Sequence, residues 1–231
     1  MEQGQISGIV NFLNYDSYKN LVDFIESSEN LRFAYKIPFA NGAKEYFKDI
    51  QIQSFSKTQK NTNGIISETI TFDCLSLWYE ENTIIYTIEP QKNEIRWDFR
   101  WDSRFSDYNS RSLQYINKGH IEAPIYVEID GHVLNPKLEL YVEGQLYQTV
   151  TVNVDIKEYE KFIYNTRENE FAVARQNLDG TIEDLFLIDY INPENDNVMR
   201  IPKNKSCEIK ITAENPINNA KLTIYPRYKA I

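Results

Sequence analysis

Near its start the chain places Tyr18, Leu21, Val22 and Ile25 at i, i+3, i+4 and i+7, a spacing that predicts a helix with one apolar face. Afterwards the period shortens to two. Leu31 to Ile37 reads as a strand, and Asn41-Gly42 marks a turn before a second strand from Tyr46 to Phe55. In that strand the apolar phase slips between Phe47 and Ile50 and again before Phe55, which predicts either a bulge or a strand covered on both faces. Asn63-Gly64 then separates it from Ile65 to Cys74, and the two segments form a predicted hairpin. In the second arm Ile66, Glu68, Ile70 and Phe72 share one parity and Ser67, Thr69, Thr71 and Asp73 the other, so one side is expected to be buried and one wet.

Beyond Glu80 the strands shorten and turn residues become denser, from Gly119 and Pro124 to Pro202 and Pro216. Predicted strands are Thr83 to Ile88, Glu94 to Arg100, Ala123 to Ile129, Lys137 to Val142, Leu146 to Ile156, Lys161 to Asn165, Glu170 to Arg175, Leu185 to Ile191, Cys207 to Ala213 and Lys221 to Arg227. Many short strands joined by turns fit a β-sandwich of jelly-roll or related topology. The expected fold class is therefore mainly β: an N-terminal β domain with one α-helix over residues 1–82, then a C-terminal β-sandwich over 83–231. Either part is long enough to bury a core of its own.

Composition agrees, because Tyr, Phe, Ile, Val and Thr recur throughout while helix-favouring runs are scarce. With 25 Lys and Arg against 34 Asp and Glu, the formal charge is −9, which repels phosphate backbones and argues against direct nucleic-acid recognition. No apolar run is long enough for a membrane-spanning helix, and Met1-Glu2-Gln3-Gly4-Gln5 lacks the regions of a secretory signal, so synthesis in a cytoplasm is expected. Cys74 and Cys207, the two cysteines, are expected as reduced core residues rather than a staple, and the Asn204-Lys205-Ser206 sequon then carries no meaning.

Candidate chemistry is sparse. His120 and His132 are the histidines able to act near neutral pH, and both follow glycines in predicted turns, where a solvated side chain is expected. Nucleophile elbows, phosphate-cradling loops and zinc-binding pairs are absent from the sequence. Pro193-Glu194-Asn195-Asp196-Asn197 offers oxygen ligands but lacks the ligand series of a calcium loop, so it reads as a polar turn. Trp97, Phe99 and Trp101 alternate with charged residues and would line one strand face, either as core or as a platform for sugar rings. No catalytic, cofactor-binding or metal site is expected, and the chain is expected not to be an enzyme.

Several stretches resemble the distal tail proteins of long, non-contractile-tailed bacteriophages. These are Gly8-Ile9-Val10-Asn11-Phe12, where the family has a Gly-x-Ile-x-Phe strand, then Tyr18 to Ile25, Leu31-Arg32-Phe33-Ala34-Tyr35 and Asp49-Ile50-Gln51-Ile52. Ser56-Lys57-Thr58 follows, with Gln59 where the family often has an acid, and Ile70-Thr71-Phe72 and Leu75-Ser76-Leu77-Trp78-Tyr79 close the match. The second half resembles the family's C-terminal domain at Asn117-Lys118-Gly119-His120, Val127-Glu128-Ile129-Asp130-Gly131, Asn135-Pro136, Asp179-Gly180 and Ile201-Pro202. The family usually carries further strands before the Gly8 segment, so the first domain is expected to lack them.

This resemblance implies a structural role in a phage or prophage baseplate: a head-to-tail homohexameric ring built from the first domain, with a galectin-like sandwich outward. Implied partners are the tail tube protein, a tail-tip or tail-lysin protein, and receptor-binding proteins or cell-wall glycan, with location in the virion tail. The acidic balance would keep passing DNA from sticking to the lumen. The alternative reading is a carbohydrate-binding module that grips cell-surface glycans through Trp97, Trp101 or nearby tyrosines.

Overall fold

The computed structural model describes residues 4–28, 31–39, 42–57, 65–87, 110–185, 198–217 and 219–230. They are mainly β-strand with one α-helix, and they divide into two compact units, 1–80 with 228–231 and 81–227.

In the first unit the strands are β1 (Gln5–Phe12), β2 (Leu31–Phe39), β3 (Gly42–Lys57), β4 (Ile66–Cys74) and β5 (Trp78–Tyr79), with helix α1 (Tyr15–Ser27) between β1 and β2. β1 pairs with β4, β4 with the second half of β3, and β2 with its first half, all antiparallel. Ile50 pairs with both Leu31 and Cys74, so β2 and β4 lie on opposite sides of β3. β1 and β2 are therefore opposite edges of one sheet. The predicted phase slip before Phe55 is a register shift between Ile52 and Ser54. The earlier slip has the other cause: Phe47 turns to the opposite face, where it meets Tyr79 at 6.0 Å between ring centroids. The parity of the β4 arm holds, with Glu68, Ile70 and Cys74 buried on one face. Its turn at Asn63-Gly64 lies outside the described residues.

The second unit buries one continuous core between two antiparallel sheets. One sheet has the order Gln145–Thr151, Lys137–Val142, Ser206–Thr212, Ser110–Ile116. The other centres on Ala123–Asp130, flanked by Lys161–Asn165 and Asn219–Ile224. Alternation does the work here: Ile125, Val127 and Ile129 point inward beside Phe162, Tyr164 and Leu222 of the same sheet, as do Leu138, Leu140, Ile209 and Ile211 from the other sheet. Each such side chain contributes roughly 1.5–3 kcal/mol by leaving water. Cys207 sits in this core and Cys74 in the other unit, both free and buried as expected. Burial pushes the Cys207 thiol up, which leaves it protonated and inert.

Some predicted boundaries are corrected. Leu146 to Ile156 is two strands, Gln145–Thr151 and Asp155–Ile156, broken where Val154 N–H donates to Val152 O at 3.1 Å. Lys221 to Arg227 ends at Ile224, because Tyr225 N–H turns to Pro124 O and Pro226 cannot donate to a ladder. Leu185 follows a strand, Ile182–Asp184, and the rest of the predicted Leu185 to Ile191 strand lies outside the described residues. Ser110–Ile116 is a strand that the pattern did not predict.

One ion-pair cluster makes this unit sensitive to acid. Glu168 Oε1 accepts from Arg227 at 2.8 Å and Arg200 at 3.2 Å. The Arg227 hydrogen bond, aided by both guanidinium charges and opposed by desolvation, holds the Glu168 carboxyl below its ordinary value. A depressed carboxyl contributes stability that is present above the unfolded-state pKa, about 4.3, and lost as pH falls through the folded value. The thermal midpoint should therefore drop below about pH 4. Glu168→Gln should lower the midpoint at pH 7 and flatten that acid limb; an unchanged limb in calorimetry would contradict the assignment.

Candidate functional site

The surfaces that stand out belong to the first unit. Helix α1 starts at Asn14, whose Oδ1 accepts from Ser17 N–H at 2.8 Å, with Asp16 favourable at the positive end of the helix. Its other end is tied by Ser28 Oγ donating to Phe24 O at 2.6 Å. Tyr18, Leu21, Val22 and Ile25 form the half-buried stripe, as the spacing predicts, and Tyr18 meets Phe12 edge-on at 5.5 Å. No helix residue is fully buried. Leu13, Tyr15 and Phe24 remain exposed at 82, 61 and 60%.

Next to the helix, β1 carries Ile9 at 71% exposure, and a Cβ added at Gly8 would meet nothing within 4 Å. Hydrogen bonds link its odd positions to β4 across an open face: Gln5 Nε2 donates to Asp73, Ser7 meets Thr71, and Ser67 donates to Asn11. Across the sheet, β2 and β3 build a cationic and aromatic face. Lys48 Nζ lies 5.2 Å from the Trp78 ring centre, and Phe33 and Tyr35 pack on the same indole. On the opposite side Arg32 sits over Phe47 and Tyr79, and Tyr79 Oη donates to Asp49 at 2.6 Å. Asp49 N–H donates to Ser76 Oγ and Leu75 N–H to Asp49 O. The Leu75-to-Tyr79 motif is thereby fastened to β3.

The sequence motifs of the second unit are backbone devices. Asn117, fully buried, donates through Nδ2 to Ile121 O and Ile201 O and accepts from Gly119 N–H at 2.9 Å. Gly119 has no room for a side chain, since a Cβ would lie 2.8 Å from Arg227 backbone atoms. Asn135 and Gly180 turn the chain at positive φ, 49° and 85°.

His120 and His132 both lie at bends. His120 is exposed and its N–H donates to Arg227 O. His132 is brought together with Asp155 (Nε2 to Oδ1, 3.3 Å) and Asn215, whose Nδ2 lies 3.1 Å from Nδ1 and donates to the His132 carbonyl. Asn215 Oδ1 also accepts from Leu134 N–H, so these contacts tie three loops together. Trp97, Phe99, Trp101 and the Pro193–Asn197 run lie outside the described residues. Among the described residues no cluster of three His, Cys, Asp or Glu is arranged for a metal ion, and no helix is long and apolar enough to cross a membrane.

A chain of the phage P2 baseplate in its activated conformation with Ca aligns with 99% of this chain and 81% of its own length, at 17% identity and a TM-score of 0.64. The same baseplate with Sr gives 16% identity and a TM-score of 0.63 over the same shares. The SPP1 Dit (gp 19.1) protein is more distant, at 10% identity and a TM-score of 0.46 over 96% of this chain and 77% of that one. Among curated proteins none matches. The fold is thus that of a phage baseplate chain. Residues 1–75 match the family described as distal tail protein, N-terminal domain. Residues 1–75 thus carry the features of a distal tail protein N-terminal domain, as the motifs from Gly8 onward imply.

Proposed function

We propose that this chain is a distal tail protein, the structural hub of a phage or prophage tail baseplate. The match of residues 1–75 to the distal tail N-terminal domain carries this reading. In it an N-terminal domain, residues 1–82, joins copies head to tail into a ring of six, and 83–231 serves as a galectin-like docking domain. The tail tube protein lies on one side and the tail-tip or tail-lysin protein on the other, and receptor-binding proteins attach to the docking domain. The role is architectural, without catalysis, and is performed in the virion tail after synthesis in the host cytoplasm. A head-to-tail ring needs two different complementary surfaces on each copy, and closure limits its growth. Exposed apolar side chains on β1 and α1 support this reading, since such groups gather where proteins meet.

Native mass spectrometry of the natural gene product tests it. The expected result is a closed species of six protomers that binds the tail tube protein. A strictly monomeric chain at high concentration would overturn the ring. No observation among the described residues favours the glycan-binding alternative.

A further inference from the structure

In the second unit a single carboxamide fastens the turn that carries His132. Asn215 Oδ1 accepts from Leu134 N–H at 2.7 Å, and Nδ2 donates to the His132 carbonyl at 2.9 Å. A backbone donor on one side and a backbone acceptor on the other leave the carboxamide one orientation. Nδ2 then lies 3.1 Å from His132 Nδ1, where an N–H is received only by a ring nitrogen that carries no proton. The ring is therefore neutral in this arrangement, with its proton on Nε2.

Nε2 faces a different partner. It lies 3.3 Å from Asp155 Oδ1, an oxygen shielded from solvent that has no hydrogen bond among the described residues. Lys157 holds the other oxygen, and its hydrogen bond, opposed by desolvation and aided by charge on His132, keeps the Asp155 carboxyl below its ordinary value. Three further acids belong to the elements packed around the ring. Glu160 lies on the turn whose carbonyl receives Gly131 N–H, Glu214 on the loop of Asn215, and Asp130, beside Lys161, on the strand that leads into the turn. Acids outnumber cations here, so a proton arriving on His132 meets counter-charge.

Asn215 opposes that proton. It can enter only at Nδ1, where it would point at Asn215 Nδ2–H, donor against donor. We propose that His132 is an acid-operated latch with two partners: neutral, it is held by Asn215; protonated on Nδ1, it stays with Asp155 and turns Asn215 away, which frees loop 213–217 from the 131–135 turn. The turn borders the core, since Val133 and Ile156 pair beside it and both are fully buried, as is Ile217 after the loop. Release also strips Leu134 N–H of its acceptor, which gives the latch a local signal. Every group lies within the second unit, so the latch is independent of the ring reading.

Amide hydrogen exchange of the full chain, read by mass spectrometry, tests it at about pH 8 and about pH 5, between which histidine changes charge. With the intrinsic rates divided out, exchange at Leu134 should quicken about fivefold or more in acid, as expected for one lost hydrogen bond. His132→Phe should abolish the difference. Asn215→Asp should reverse it, because a carboxylate accepts from both Leu134 N–H and a protonated Nδ1, so acid then tightens the turn. Nitrogen NMR of the His120→Gln chain, which leaves one imidazole to observe, should find the proton of His132 on Nε2 at about pH 8. This reading and Asn215→Asp decide the matter even if His132→Phe fails to fold. Equal exchange at the two pH values, a difference that survives His132→Phe, faster exchange of Asn215→Asp in acid, or a proton on Nδ1 in the alkaline sample overturns the latch.

Discussion

Replacing Asn117 with leucine is expected to cost about 3 kcal/mol or more of stability, read as a shift in the denaturation midpoint of the full chain. Leucine keeps the branched heavy-atom shape and is the larger side chain, so no cavity opens and packing loss is not the main effect. What is lost is a clasp. Asn117 Nδ2 reaches Ile121 O at 2.9 Å and Ile201 O at 3.1 Å, while Oδ1 receives Gly119 N–H at 2.9 Å. The side chain is fully buried, so water cannot take over these groups. A buried backbone group deprived of its partner costs about 1–3 kcal/mol, and leucine strips a bond from three. The loss should also loosen Gly119 against Arg227, whose guanidinium holds Glu122 O and Glu168. A variant within about 0.5 kcal/mol of the parent in a urea titration would contradict this account.

The same clasp shows what was legible in the sequence. Asn117-Lys118-Gly119-His120 is ordinary turn chemistry, and only the fold reveals that its carboxamide joins segments 84 residues apart. Periodic features were legible: the α1 stripe, the wet and dry parities of β4, and the bulge that shifts the phase of β3. The helix nevertheless begins at Tyr15, earlier than its apolar stripe, because Asn14 caps it and capping residues add no hydrophobic period. Val152, Val154 and Ile156 are all buried, so the apolar alternation runs through a break in the backbone and hides it. Ser110–Ile116 escaped for the opposite reason: it borders its sheet, and among its described side chains only Leu113 and Tyr115 pack on the core. The candidate site was legible only as a family resemblance. That β1 is an edge strand among the described residues follows from the sheet order, and a linear pattern does not carry that information.

Glu68 gives the second large effect, with the opposite sign. It sits on β4 opposite Val10 and is 1% exposed, on the face that carries Ile66, Ile70 and Phe12. Among the described residues neither carboxylate oxygen has a hydrogen-bond partner. A buried polar group without a partner forfeits its hydration and gains nothing for it. Glu68→Met, similar in length and apolar, is therefore expected to stabilise the folded chain by about 1–3 kcal/mol. Glu68→Gln keeps an unsatisfied polar end and should recover less. Thermal melts of the three proteins at pH 7 provide the check, and a destabilised Glu68→Met would show that the carboxylate meets a cation in the folded chain. Stability and assembly need not move together. β4 is the strand on which β1 rests, so a stiffer β1–β4 pair should leave the outer edge more regular. Assembly of Glu68→Met at or above the wild-type level would show that the acid contributes nothing to the proposed ring. A more stable protomer that assembles worse would place the function of Glu68 in the contact between copies.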